Sequence, residues 1–276
     1  MKIASNFPKS MGLSMMNLTT ISKRRLIHAH DLLRELVARD MKVRYKRSAL
    51  GFAWSMLNPL LHLLVLYFIF GLVLTNRLPR YPSFLFSGVL VYTWFQSSLS
   101  QATTAITGNR ELLRRPGFPV PILPVVTVLT NLIHFLLSLP ILVLVLILEG
   151  SALNATVLVL PMLIALQFVL TLGLAYLAAS VNVIFRDTEY LLNVLLRLFF
   201  FLTPIFYQAE VIPTRFQPFY RLNPLVPLLE AYRSVFIDTI LPDWSSLILP
   251  TVLALLCLYV GHWNFMRVNY RFVEEL

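Results

Sequence analysis

Residues 52–74, FAWSMLNPLLHLLVLYFIFGLVL, form an apolar run with no aspartate, glutamate, lysine or arginine in it. About 20 such residues in a helix span the hydrocarbon of a bilayer. Inside lipid a backbone must satisfy its own hydrogen bonds, and a helix does so within one segment. Apolar runs return at residues 84–106, 120–148, 155–184, 190–207 and 247–266, the run 190–207 carrying one arginine, which makes six candidate spans. The chain is 58% hydrophobic over 276 residues, with a mean hydropathy of +0.74. A soluble domain of that length cannot hide so much apolar surface. The expected fold is therefore all-α and integral to the membrane. It has six transmembrane helices, an N-terminal amphipathic interface helix, and short re-entrant helices between spans five and six.

The segment before the first span sets the boundary. Residues 31–49 begin DLLRELVARDMKVRYKR. Wound as a helix, they place Glu35, Arg39, Lys42 and Lys46 on a narrow polar strip and Leu32, Leu33, Leu36, Val37, Met41, Val43 and Tyr45 on a broad apolar arc. A basic helix of this kind lies in the membrane surface. Asp40, Arg44 and Arg47 interrupt the apolar arc; Asp40 and Arg44 are four apart and are expected to pair, facing protein rather than lipid. A plain basic anchor for the next helix is the alternative. Residues 1–30 hold no apolar core followed by a small-residue cleavage site, so they read as a cytoplasmic tail, mobile over residues 1–22. Residues 50–276 make up one membrane domain.

The formal charge of +10 does not point to nucleic acid, because it is concentrated ahead of the first span. Lysine and arginine mark the cytoplasmic side of a membrane protein. Lys23, Arg24, Arg25, Arg34 and the cations of residues 39–47 precede span one; Arg110, Arg114 and Arg115 follow span two; Arg186 follows span four; Arg267 and Arg271 follow span six. Placing these inside puts both termini in the cytoplasm. Cys257 lies alone in a predicted span, which excludes an internal disulfide framework.

Span two is unusually polar, with Gln96, Ser97, Ser98, Ser100, Gln101, Thr103 and Thr104 after Tyr92, Trp94 and Phe95. Such groups inside a membrane need partners or water. They suit a pore wall that bonds and stacks on sugar rings, and equally helix packing through small hydroxyl residues. Arg197 in span five lies eleven residues past Arg186, roughly 16 Å along a helix and so near mid-membrane. It reads as a group for a passing anion or as an arginine bonded to backbone carbonyls. Phe199 and Phe200 follow it and either line a path or fill a core. GNRELLRRPGFPV, residues 108–120, predicts a short helix over residues 110–115 stopped by Pro116 and Gly117. Asp187 or Thr188 is placed to cap the helix of span five. Residues 208–243 carry Pro213, Pro218, Pro224, Pro227 and Pro242 and an apolar run too short to cross, which reads as two short helices, re-entrant or on the surface. Glu230 and Arg233, three apart, are expected to pair.

No GxxxxGK[ST] phosphate loop occurs. His28, His30, His62, His134 and His262 show no ligand spacing, and no metal site is expected. No catalytic residue stands out. A membrane-embedded glycosyltransferase would need paired acids, and Glu149, Glu210, Asp238 and Asp243 are not paired in sequence.

The pattern RDxKxRYKxxxLGxxWxxLxP, carried by Arg39, Asp40, Lys42, Arg44, Tyr45, Leu50, Gly51, Trp54, Leu57 and Pro59, resembles the permease subunits of the ABC-2 family. It is most similar to the exporters of O-antigen, capsule and teichoic-acid polysaccharides; Phe185-Arg186-Asp187 and Asn223-Pro224 with Glu230 and Arg233 extend the likeness. The resemblance implies a transporter subunit in the cytoplasmic (inner) membrane, not an enzyme. It implies a homodimer, two copies of a separate ATPase subunit that binds ATP and Mg, and no cofactor in this chain. The substrate so implied is an undecaprenyl-pyrophosphate-linked polysaccharide, most readily O-antigen, among membrane lipids. Arg39, Lys42, Arg44, Lys46 and Arg47 would receive the lipid pyrophosphate. Tyr92, Trp94, Phe95, Gln96, Arg197, Phe199 and Phe200 would line the channel. Arg110, Glu111, Arg114, Arg115, Arg186 and Asp187 would couple to the ATPase, with residues 108–119 as the docking segment. An ABC-2 exporter of a small drug or lipid is the nearest alternative.

Overall fold

A computed structural model describes residues 11–46, 48, 51–73, 78–151, 154–217, 220 and 222–269. The chain divides into two compact units, one ending at Arg44 and the other starting at Tyr45.

The described residues of the first unit are helical. Helix α1, Met11–Tyr45, includes residues 31–45 of the expected interface segment, ends before its last residues, and starts well before it, within the residues read as a tail. Its Asp40 accepts from Arg39 Nη2 at 2.8 Å and Nε at 3.1 Å. The pairing expected with Arg44 does not form: the adjacent arginine takes both bonds. Arg47 lies outside the described residues.

The second unit is a helical bundle. Its first span opens at Gly51, where φ is +48° and the N–H bonds Ser48 Oγ at 3.2 Å. Helix α2, Trp54–Leu66, contains a buried Pro59 and runs into a π-helical turn, Tyr67–Val73. The remaining helices are α3 (Tyr81–Thr103), α4 (Arg110–Leu113), α5 (Ile122–Leu148), α6 (Leu160–Ile184), α7 (Thr188–Leu202), α8 (Leu225–Arg233) and α9 (Ile248–Val268).

Among the described residues, four helices are long and apolar enough to cross a membrane: Met56–Val73, Ile122–Leu148, Ala155–Ile184 and Ile248–Val268. The expectation of six spans meets that test four times. Helix α3 has the length, at 23 residues, and misses on polarity. Helix α7 is apolar and misses on length, at 15 residues, roughly 22 Å of helix. Its stop has a local cause. Pro204 biases the residue before it away from helical backbone, and Thr203 is extended at φ −100°, ψ 138°. The sequence pattern ran the span on to Tyr207; the proline ends it at Leu202.

Helix α3 is the centre of the bundle. It touches α2, α5, α6, α7 and α8, and Leu85, Phe86, Val89, Leu90, Trp94 and Leu99 are each 4% exposed or less. The most extensive helix pair is α6 with α9. A Cβ on Gly173 would lie 2.4 Å from the carbonyl carbon of Cys257, and one on Gly261 only 2.2 Å from the Gly173 oxygen. The two backbones touch there, which is how small residues bring membrane helices together.

Candidate functional site

Of the channel candidates, four meet in one aromatic cluster. Tyr92 and Phe95 on α3 face Phe200 and Phe199 on α7, with centroids 5.3 Å and 6.5 Å apart respectively. The Tyr92 hydroxyl donates to the carbonyl of Leu196. Phe206, from the chain after α7, stacks on Phe70 at 4.5 Å and joins Phe200 at 6.1 Å. Edge-to-face and offset ring pairs of this kind add to packing beyond their area. Trp94 turns the other way and stacks on Phe135 of α5 at 5.1 Å. Tyr92, Trp94 and Phe95 are buried within the single chain, while Gln96, Phe199 and Phe200 are half-buried.

The polar half of α3 is occupied by neighbours. Gln101 and Asn131 exchange side-chain bonds at 3.4 Å and 3.2 Å. Ser100 donates to Asn193 at 2.6 Å, and Gln167 of α6 donates to the Val91 carbonyl at 2.9 Å. Thr103 donates back to the Leu99 carbonyl at 2.7 Å. Most of these polar groups are answered by other helices, as hydrocarbon surroundings favour, while Ser98 Oγ, Trp94 Nε1 and Gln167 Oε1 are buried with no hydrogen-bond partner among the described residues.

Arg197 stands apart from both groups. It is exposed, and it makes no hydrogen bond or ion pair with the described residues. Tyr190, Val194 and Phe201, at positions i−7, i−3 and i+4, share its exposed side at 74%, 52% and 62%. The result is an apolar stripe with one cation in it.

The basic corner after α3 folds as expected locally. Arg110–Leu113 is a short helix, Leu113 is its buried anchor, and Arg110, Glu111, Arg114 and Arg115 are exposed. Arg186 and Asp187 are exposed between α6 and α7. Asp187 occupies the N-cap position of α7 without a side-chain cap bond; Thr188 instead donates back to the Phe185 carbonyl at 2.6 Å. In α1, Lys42 and Arg44 are exposed and Arg39 is half-buried; Lys46, just past its end, is exposed.

The opposite end of α3 holds what the sequence pattern did not disclose. Residues 208–243 are mostly buried along α8 and its π-helical extension Ser234–Asp238. Arg233, 6% exposed, does not form the expected ion pair with Glu230. Its Nη2 donates to the carbonyls of Phe84 at 3.2 Å and Ile205 at 2.9 Å, and its guanidinium lies 3.4 Å from the centre of the Phe84 ring. Gly88 leaves the room: a Cβ there would come within 3.0 Å of Arg233 Nη2. Arg80 donates to the Ile237 carbonyl at 2.8 Å, so two arginines fasten this segment to the start of α3. A charged residue inside AYRSVFI was the available signal.

Two cavities of about 520 and 510 Å³ open beside these arginines and share Ala209, Glu210 and Glu230 in their walls. Burial pushes the Asp238 carboxyl above its ordinary value, against the pull of Arg80 and Arg233. The Ser245 hydroxyl, and then its N–H, hold Asp243 below its own.

The fold and these sites define a multi-pass helical membrane protein, with one exposed cation, Arg197, inside an apolar helix and others at the corners between helices. The chain belongs to the ABC-2 type transporter family, whose description it matches over residues 31–237. It is therefore a transporter subunit in kind rather than an enzyme. It is 35% identical to "O-antigen export system permease protein RfbA" of Myxococcus xanthus over 255 residues, 92% of this chain and 98% of that protein. A protein of the same description from Klebsiella pneumoniae is 32% identical over 256 residues, again 92% and 98%. "Polysialic acid transport protein KpsM" of Escherichia coli is 26% identical over 230 residues, 82% of this chain and 89% of that protein.

Proposed function

We propose that this chain is the permease subunit of an ABC exporter that moves a lipid-linked polysaccharide of the O-antigen class across the cytoplasmic membrane. The observation that carries this reading is end-to-end similarity: relatives described as O-antigen export permeases align over 98% of their own length. Two copies of the chain frame the path, and two copies of a separate ATPase supply the energy, since no phosphate loop occurs here. Helices α3 and α7 complete a six-span topology with both termini in the cytoplasm. Residues 208–243 re-enter from the outer side.

Within that reading, the exposed Arg110, Glu111, Arg114 and Arg115, with Arg186 and Asp187, receive the push of the ATPase. Arg39, Lys42, Arg44, Lys46 and Arg47 capture the pyrophosphate of the lipid carrier, because lysine and arginine give charge-assisted bonds to phosphate oxygens. Arg197, Gln96, Phe199 and Phe200 face the path, and Tyr92, Trp94 and Phe95 stand behind them as its support.

Removing the chain from its cell tests the whole reading. Surface polysaccharide should disappear while lipid-linked polymer accumulates on the inner face; full surface polysaccharide without the chain overturns the proposal. The coupling role has its own test. Arg114→Glu with Arg115→Glu should lower export about tenfold or more at unchanged membrane content, because both side chains leave the bundle. Normal export at normal content removes the docking role.

A further inference from the structure

We propose that the paired cavities at the outer end of α3 form a saccharide-binding groove, holding one or two sugar rings of the polymer on the exit side. The inference rests on the export reading and names a site separate from the channel wall.

The first cavity is lined by Arg80, Phe84, Glu210, Glu230, Arg233, Ser234 and Asp238, among others. Three carboxylates and two guanidinia thus share one space of about 520 Å³. That volume falls in the range of small-ligand pockets. A free anion placed there meets more carboxylates than guanidinia, and a cation meets both arginines. Among the described residues, no group of three or more His, Cys, Asp or Glu is arranged to hold a metal ion. A ring of hydroxyls suits the mixture, because each hydroxyl donates to a carboxylate and accepts from a guanidinium.

Arg233 supplies the second, independent observation. It is a cavity-lining cation, 6% exposed, and its Nε is a buried donor with no acceptor among the described residues. Buried donors are expected to be paired. Its other contacts hold it rigidly: two carbonyls and the Phe84 ring. A fixed guanidinium in the cavity wall is a prepared charged partner for a sugar oxygen.

The second cavity continues the chemistry. Gln217, Tyr220, Asp243, Ser245 and Ser246 line it, across the shared Glu210 and Glu230. Amide, hydroxyl and carboxylate groups again offer both donors and acceptors, and Asp243 is fixed by Ser245 at 2.8 Å. A neutral or weakly charged saccharide is the class that fits both halves.

The test uses the assembled transporter, this chain with its ATPase partner, in lipid nanodiscs. The probe is the lipid-free oligosaccharide released by mild acid from the source cell's own surface polysaccharide. Saturation-transfer NMR should detect binding to the wild type. Glu210→Gln, at an exposed position in the walls of both cavities, should weaken it about tenfold, as loss of a hydrogen bond to a charged group does. Asp238→Asn should weaken it in the same direction. No binding to the wild type, equal binding to both variants, or displacement by an equal concentration of inorganic phosphate overturns the groove. Cells lacking the chain separate the two levels. If they lose surface polysaccharide while the variants bind normally, the groove alone fails; if they keep it, the export reading fails and the groove with it.

Discussion

Helices α3 and α7 lie against each other and are built on opposite plans. Helix α3 is long and comparatively polar, and most of its side chains are buried against neighbours. Helix α7 is short and apolar, and only Leu196 of its residues is buried. Polarity and burial are thus reversed from what a soluble protein would lead one to expect. The reason is the solvent. In lipid, a polar side chain is safest inside the protein, where Asn131, Asn193 and the Val91 carbonyl answer it, and an apolar one is at no disadvantage outside. Hydropathy therefore reports which face meets lipid, not which helix is central.

The largest effect expected from this contrast is at Trp94. Its side chain is 2% exposed and stacked on Phe135. Trp94→Ala should cost about 3 kcal/mol, because an aromatic side chain is removed from a packed site that cannot fully collapse. Denaturant unfolding of the purified protein in detergent measures it. A loss under about 0.5 kcal/mol, within the range of ordinary surface changes, would mean that α3 is not the packed centre.

A smaller effect lies at the seam between the two helices. Tyr92→Phe keeps the ring against Phe200 and removes only the bond to the Leu196 carbonyl. The expected cost is about 1 kcal/mol, the net worth of one intramolecular hydrogen bond. A thermal-midpoint comparison with Trp94→Ala ranks the two. If Tyr92→Phe proves the more damaging, the seam is held by that bond rather than by its rings.

These helices also divide what could be read from the chain in advance. The apolar runs at residues 52–74, 120–148, 155–184 and 247–266 were visible because their composition alone satisfies the bilayer. The short helix at Arg110–Leu113 was visible because Pro116 and Gly117 end it. In span five the apolar pattern continues through Thr203-Pro204, where local backbone restriction ends the helix. The pairs Asp40–Arg44 and Glu230–Arg233 were spaced correctly for a helix and did not form, since spacing cannot exclude a nearer arginine or a better set of carbonyls. The contact of Gly173 with Gly261 joins residues far apart in the chain, and nothing local announces it. The spacing of Arg233 suits a helix-face partner, but its contacts depend on Phe84, Gly88 and Ile205 arriving from elsewhere.

The smallest expected effect on stability is the most informative about function. Arg197 projects from α7 between Tyr190, Val194 and Phe201, all exposed. If that stripe faced hydrocarbon, the arginine would be a burden of about 2.5–3.5 kcal/mol at mid-membrane, and Arg197→Leu would stabilise the protein by much of it. If it faces a water-filled path between two copies, no such burden exists. We expect the second outcome: Arg197→Leu and Arg197→Gln each within about 0.5 kcal/mol of wild type, as at an exposed position without partners. Export should nevertheless fall in both, and Arg197→Lys should restore part of it by returning the charge. Thermal unfolding and the rate of appearance of surface polysaccharide, measured on the same three variants, decide the matter. A stabilised Arg197→Leu with undiminished export would turn the stripe outward to lipid and leave the path to other helices.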